Sequence, residues 1–273
     1  MIPKHNMKTS VEWLRLTCDQ LEKAREQSEG VCILPVGVIE RHGSHLPLGT
    51  DVFEADALAK GAAEKEYAVV LPPLHYSVNA NSAHCLGAID IRPRVLLDFI
   101  QNLLDEVARN GFRKILLLNF HGGNRFLLPL ILQEHKTRPE ADYELYLPNP
   151  HAYESIELRP IMETQDNHAG ELETSLIQHI VPETVDQASL PDYGATLKEN
   201  YPVPGVVTPV DWVASYPDLY AGDATKASAQ KGAQLFEAIT TRLAKLLQTI
   251  KADTASHNLR KEYQRRRANP PLK

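Results

Sequence analysis

Cysteine is scarce in this 273-residue chain: Cys18, Cys32 and Cys85 form an odd set with no paired spacing. No disulfide framework or paired-cysteine metal motif can be built from them, so a reduced, cytoplasmic setting is the expectation. No apolar stretch nears the roughly 20 residues needed to cross a bilayer. The first residues, MIPKHNMKTS, lack the charged-then-apolar order of a secretory leader, and no membrane partner is expected. No G-x-G-x-x-G follows the first apolar run, which argues against a Rossmann-type dehydrogenase. Internal repeats and low-complexity linkers are also missing. With 43% hydrophobic and 23% charged residues, the composition is that of a folded globular chain long enough to bury a substantial core.

Positive charge is outnumbered by negative except at one end. The net charge is −6, yet NLRKEYQRRRANPPLK (258–273) holds six Lys/Arg against one Glu, a local +5 that leaves −11 on the rest. A body of that sign repels phosphate, so no nucleic acid is expected as a partner; a subunit contact or a solvated tail is the reading for 258–273.

Apolar periodicity then gives the order of elements. Helix is expected over 10–27 with Ser10 as N-cap, strand over 31–38, and helix over 53–66. AVVLPPLHY reads as a second strand, 93–110 as a helix stopped by Asn110-Gly111, and RKILLLNF as a third strand. A helix at 125–137, a strand at YELYLPN and a helix from DNHAG to near Pro182 follow. Residues 183–221 are Pro-rich and irregular, and a last helix spans 222–251. Strands alternating with helices predict one α/β domain over 1–257 with a largely parallel sheet. The ligand site of such a sheet lies beyond the carboxyl ends of its strands.

Two loops leave strand ends and both carry metal-capable side chains. ERHGSHLPLGTD supplies Glu40, His42 and Asp51, and NFHGGN supplies His121. Oxygen donors mixed with imidazole suit Zn, Mn or Fe(II). Each has a plain alternative when taken singly: Asp51 can N-cap its helix, a lone His is usually structural, and HGGN can be a turn. His45 is placed outside the direct ligand set, and Cys85 has no base beside it. In DNHAGELETS, His168 and Glu171 are three apart and can share a helix face, while Glu173 projects elsewhere; acids in a first helical turn are also favoured by the dipole alone. His84 lies in the polar loop after the second strand and faces either substrate or solvent. Gly122 and Gly123 permit close approach of backbone N–H groups to a polar substrate.

In the order GVIERHGSHLPLGTD, AHCLGAIDI, LLLNFHGGN, HAGELETS and GDATKASAQKG, residues 30–235 resemble the creatininase (creatinine amidohydrolase) family. The resemblance implies a three-layer α/β/α fold and metal-dependent hydrolases, often hexamers, so a homo-oligomer is expected. Members act on cyclic amides such as creatinine, on formamides of a ribosylaminopyrimidine phosphate, or on an oxidised inositol ring. It implies two divalent ions, with Glu40 and His121 on one, His42 on the other, Asp51 bridging, and His168 as the catalytic histidine. There are departures: creatininase carries a Glu where this chain has Gly123, which leaves Glu173 as the natural replacement. The tryptophans that close over creatinine are absent, the chain's two, Trp13 and Trp212, lying elsewhere in the sequence.

The function expected is a hydrolase in which a metal-bridging hydroxide attacks the carbonyl of a small polar amide and His168 passes a proton to the leaving group. Ring opening of a cyclic ketone or lactone-like sugar derivative, and a non-catalytic metal-bound scaffold, are the alternatives.

Overall fold

The computed structural model describes residues 9–148, 158, 160–195, 203 and 205–270. Among them, four strands form one parallel sheet in the order β2-β1-β3-β4: β1 (Val31–Val36), β2 (Val69–Val70), β3 (Lys114–Asn119) and β4 (Glu144–Tyr146). The α-helices are α1 (Cys18–Gln27), α2 (Thr50–Lys65), α3 (Pro93–Arg109), α4 (Leu127–Lys136), α5 (Glu171–Ile180), α6 (Asp211–Ser215), α7 (Ala229–Ala252) and α8 (Ala255–Ala268).

Alternation along the strands makes the three layers. Cys32, Leu34 and Val36 of β1 and Ile115 and Leu117 of β3 pack with Leu96, Ile100 and Leu104 of α3 and Leu128 and Ile131 of α4. Val31 and Ile33, with Leu116 and Leu118, face the other way, onto Leu58 of α2, Leu176 of α5 and Leu235, Ile239 and Leu243 of α7. The expected three-layer α/β/α architecture is thus found. Pro35 sits in a central strand without cost to the ladder. Its nitrogen lies on the β2 side, where strand pairing has ended at Val70, and its carbonyl still accepts from Leu74. Among the described residues, no helix is long and apolar enough to cross a membrane.

Where the elements differ from the sequence expectation, local chemistry gives the reason. Helix α1 starts at Cys18 rather than near Ser10, because Thr17 and Gln20 form a reciprocal capping box, and Trp13–Arg15 is a separate 3-10 turn. The second strand is cut to two residues by Pro72-Pro73, leaving a single bridge from Val36 to Leu74. The fourth covers three of the residues expected of it, and position 149 lies outside the described residues. The basic segment is helical through Ala268 and docks: Arg260 is buried and donates to Glu144 (2.9 and 3.0 Å) and to the carbonyls of Ala141 and Tyr143 (3.0 Å each). Arg260→Ala is expected to cost about 3–5 kcal/mol by leaving Glu144 buried without its main partner. A urea melt checks this, and an unchanged midpoint would contradict it.

The strand order reverses between β1 and β3, the place where an open α/β sheet leaves a crevice at its carboxyl edge. Gly232 brings α7 against α5: a Cβ there would overlap the Ser175 carbonyl. This close approach seats α5, whose first turn points at the same crevice.

Candidate metal centre

The loop after β1 doubles back tightly. Glu40 N–H donates to the Leu48 carbonyl (3.0 Å), His42 pairs with Leu46, and Gly43 takes a φ of 57°, which few other residues accept. The turn presents Glu40 and His42 to Asp51, in the first turn of α2. His121 arrives from the end of β3. His42 Nε2 lies 2.8 Å from Asp51 Oδ1 and 3.7 Å from Glu173 Oε2. His121 Nδ1 lies 2.9 Å from Glu40 Oε1 and 3.0 Å from Asp51 Oδ2. Two three-donor sets result, Glu40–Asp51–His121 and His42–Asp51–Glu173, with Asp51 contributing to both. A third set, Glu40–His42–His168, overlaps them.

These donors suit a metal better than they suit one another. Despite the short approaches, His42 Nε2, His121 Nδ1 and Asp51 Oδ2 are buried without a hydrogen bond in acceptable geometry. The opposite ring nitrogens are occupied. His121 Nε2–H donates to the Val78 carbonyl (2.8 Å) and His42 Nδ1–H to the Glu40 carbonyl (3.3 Å). A carbonyl only accepts, so the proton on that side is retained, and the nitrogen facing the carboxylates is the one that would give up its proton to a metal.

The electrostatics follow. Burial pushes the His42 imidazole down, but Asp51 and Glu173 beside it prevail and raise it to about 10. His121 is likewise lifted well above the ordinary value against its burial, by Asp51 and Glu40. Burial would raise Asp51, yet His42 and His121 hold it far below the usual carboxylate range. Burial pushes Glu173 up to about 8, against the pull of His42. A divalent ion must therefore displace protons from His42, His121 and Glu173, so its affinity falls as pH drops. Adding zinc to metal-free protein at neutral pH is expected to release protons from both histidines and from Glu173, read with an indicator dye in weak buffer. Uptake without proton release would contradict this.

His168 stacks on His42 with centroids 4.2 Å apart, and its Nε2–H donates to the Arg41 carbonyl (2.9 Å). Burial and the charge of His42 lower it to about 4, so it is neutral at pH 7 with Nδ1 unprotonated. It does not share a helix face with Glu171. Its backbone pairs with Ala221 ahead of α5, and Ala169 then takes a φ of 57°, which turns the chain into the helix. Glu171 points away, bound by Lys231 (2.5 Å) and the amides of Glu163 and Thr164. Glu173, sent elsewhere by spacing but named as a ligand by the family resemblance, is the carboxylate that reaches the cluster, steadied by Ala169 N–H (2.5 Å).

The substrate-side residues diverge. His84 is exposed at the rim, with Nε2 3.4 Å from the Pro217 carbonyl. Gly122 borders open space. At Gly123 a Cβ would overlap His121 Nε2 and lie 3.1 Å from the Val78 carbonyl, so this glycine preserves the seat of His121. Gly123→Ala is expected to displace the imidazole and lower metal content, measured by elemental mass spectrometry; full retention would contradict it. Asn124 and Ser77 are a pair the sequence reading did not weigh. Ser77 Oγ donates to Asn124 Oδ1, Asn124 donates to Asn119 Oδ1 (2.9 Å), and Asn119 donates to the His121 carbonyl (2.9 Å). Trp212, read as remote, meets His168 edge-on at 5.9 Å. Glu54, one turn beyond Asp51, is buried with Oε1 unpartnered, and burial followed by the charges of Glu173 and Asp51 raises its carboxyl well above the usual range.

Three carboxylates and three imidazoles converge at the switch point of a parallel sheet, a donor set able to hold divalent metal at the place where α/β enzymes bind their ligands. The sequence model of the creatininase family, described as creatinine amidohydrolase, matches residues 14–247, and the chain belongs to that family. It is 26% identical to the creatinine amidohydrolase of Pseudomonas putida, over 85% of this chain and 94% of that one. It is 27% identical to the 3-dehydro-scyllo-inosose hydrolase of Thermotoga maritima, over 89% and 84%. A crystal structure of creatinine amidohydrolase superimposes with a TM-score of 0.77 at 25% identity, covering 90% of this chain and 100% of the other. Similar solved creatininases include a zinc–zinc and a manganese form. The chain is a metal-dependent hydrolase of this family and binds divalent metal.

Proposed function

We propose that the chain hydrolyses a C–N amide bond of a small polar substrate, a cyclic amide or a formamide, at a centre of two divalent ions. Glu40, Asp51 and His121 would hold one ion and His42, Asp51 and Glu173 the other; zinc, manganese and iron(II) all tolerate this donor set. The observation that carries the reading is Asp51, whose two oxygens each lie within 3.0 Å of a different histidine. When bound, such ions acidify water and polarise a carbonyl.

The protein's own groups do the rest. Hydrogen bonds from His42 and His121 to main-chain carbonyls orient both rings and leave the opposite nitrogen of each facing the donor sets. His168, neutral and anchored through Nε2, takes a proton at Nδ1 as water adds to the carbonyl carbon. It gives that proton to the leaving nitrogen as the C–N bond breaks, and the products are a carboxylate and an amine. Gly123, in place of the Glu of creatininase, leaves Glu173 to complete the second donor set.

Similarity to an inosose hydrolase over most of both chains favours a second reading, in which water adds to the carbonyl of a cyclic ketone. A panel of creatinine and other lactams, N-formyl amines and inososes, offered to zinc- or manganese-loaded protein, separates the two. Amine release supports the amide reading. Consumption of an inosose with no amide cleaved would replace it.

A further inference from the structure

Trp212 is a large apolar side chain that the core does not use. It belongs to none of the three apolar clusters of the described residues and stays half-buried. Its ring neighbours are His168, met edge-on at 86°, and Tyr216, 4.8 Å away at 54°. An indole left half open beside a proton-carrying histidine is apolar area without a structural use, of the kind that marks a ligand surface.

The segment that carries it is fastened to the site. Asp211 accepts from the Thr208 amide (2.7 Å) and hydroxyl (2.5 Å) at the start of α6. The Leu219 carbonyl accepts from Gly43 (2.8 Å), and Ala221 exchanges two bonds with His168 (2.9 and 2.8 Å). Trp212 is thereby held relative to both the ligand loop and the catalytic histidine. His84, reaching Pro217, brings the loop after β2 to the same rim. Among the described residues at the centre there is no Lys, and Arg41 of the ligand loop turns its Nε back onto the Gly43 carbonyl (3.0 Å), so no free cation stands ready for an anionic substrate. An apolar plane beside such a centre fits an uncharged substrate.

We infer that Trp212 is a specificity residue that touches substrate: its indole is the wall against which the face of a small uncharged ring lies, with the ring carbonyl directed at the metal donors and His168. This rests on the carbonyl-hydrolase reading and narrows it to cyclic substrates over open-chain formamides.

In Trp13→Phe protein, Trp212 is the sole tryptophan. Zinc-loaded, it is titrated with creatinine, an inosose and N-methylformamide while its fluorescence is followed. A saturable change with at least one ring and none with the formamide supports the inference; no response to either ring, or an equal response to the formamide, overturns it. Turnover gives the second readout. Trp212→Ala is expected to raise KM for a ring substrate about 30-fold with kcat little changed, and Trp212→Phe to restore most of the loss. An equal fall of kcat on all probes would overturn the inference, because it would mark a residue that only positions His168. Failure of the hydrolase reading itself looks different: the wild type turns over no probe while Trp212 still reports ring binding.

Discussion

Asp51→Asn is expected to abolish hydrolysis and to empty both halves of the metal centre while the fold persists. Asp51 is 1% exposed, and its oxygens face His42 and His121 on opposite sides. Asparagine keeps the volume but removes the charge and one of the two oxygens. Loss of an outer-shell partner alone costs about 10–100-fold in metal affinity, and loss of a carboxylate common to both donor sets is expected to exceed that. Circular dichroism checks the fold, and dialysis followed by elemental mass spectrometry checks the metal. A variant that kept its metal and its activity would remove Asp51 from the bridging role.

His168→Gln is expected to separate chemistry from metal binding. The glutamine amide can still donate to the Arg41 carbonyl, which imidazole Nε2 reaches at 2.9 Å, but it cannot carry a proton at the position of Nδ1. Turnover is expected to fall by about 10²–10⁴-fold, with metal content as in the wild type. Activity within a few-fold of wild type would mean that another group moves the proton. Loss of metal would mean that His168 acts as a donor in the Glu40–His42–His168 set rather than beside the pair.

Much of this centre could be read before the fold was known, for a physical reason. A strand buried on both faces announces itself as a continuous apolar run, and in a parallel α/β sheet the residues just past such a run lie at the site. Glu40, His42 and His121 follow Val36 and Asn119 by a few positions, so their convergence was legible. Glu173 was reached only through the family resemblance and not from spacing, because its direction depends on where α5 begins. The left-handed turn at Ala169 sets that start, and no spacing rule reports it. Trp212 was read as remote because 44 residues separate it from His168. The pairing of Ala221 with His168 brings the excursion back over the site. The docked tail was hidden in the same way, since Arg260 finds Glu144 at a separation of 116 residues.

The most direct test of the account is the metal stoichiometry of wild-type protein and of Glu173→Ala, each reconstituted with zinc and freed of excess. The proposed centre predicts two ions per chain in the wild type and one in the variant, because Glu173 completes only the His42 side. One ion in both proteins would contradict the shared-aspartate centre and confine the chemistry to a single metal held by Glu40, Asp51 and His121.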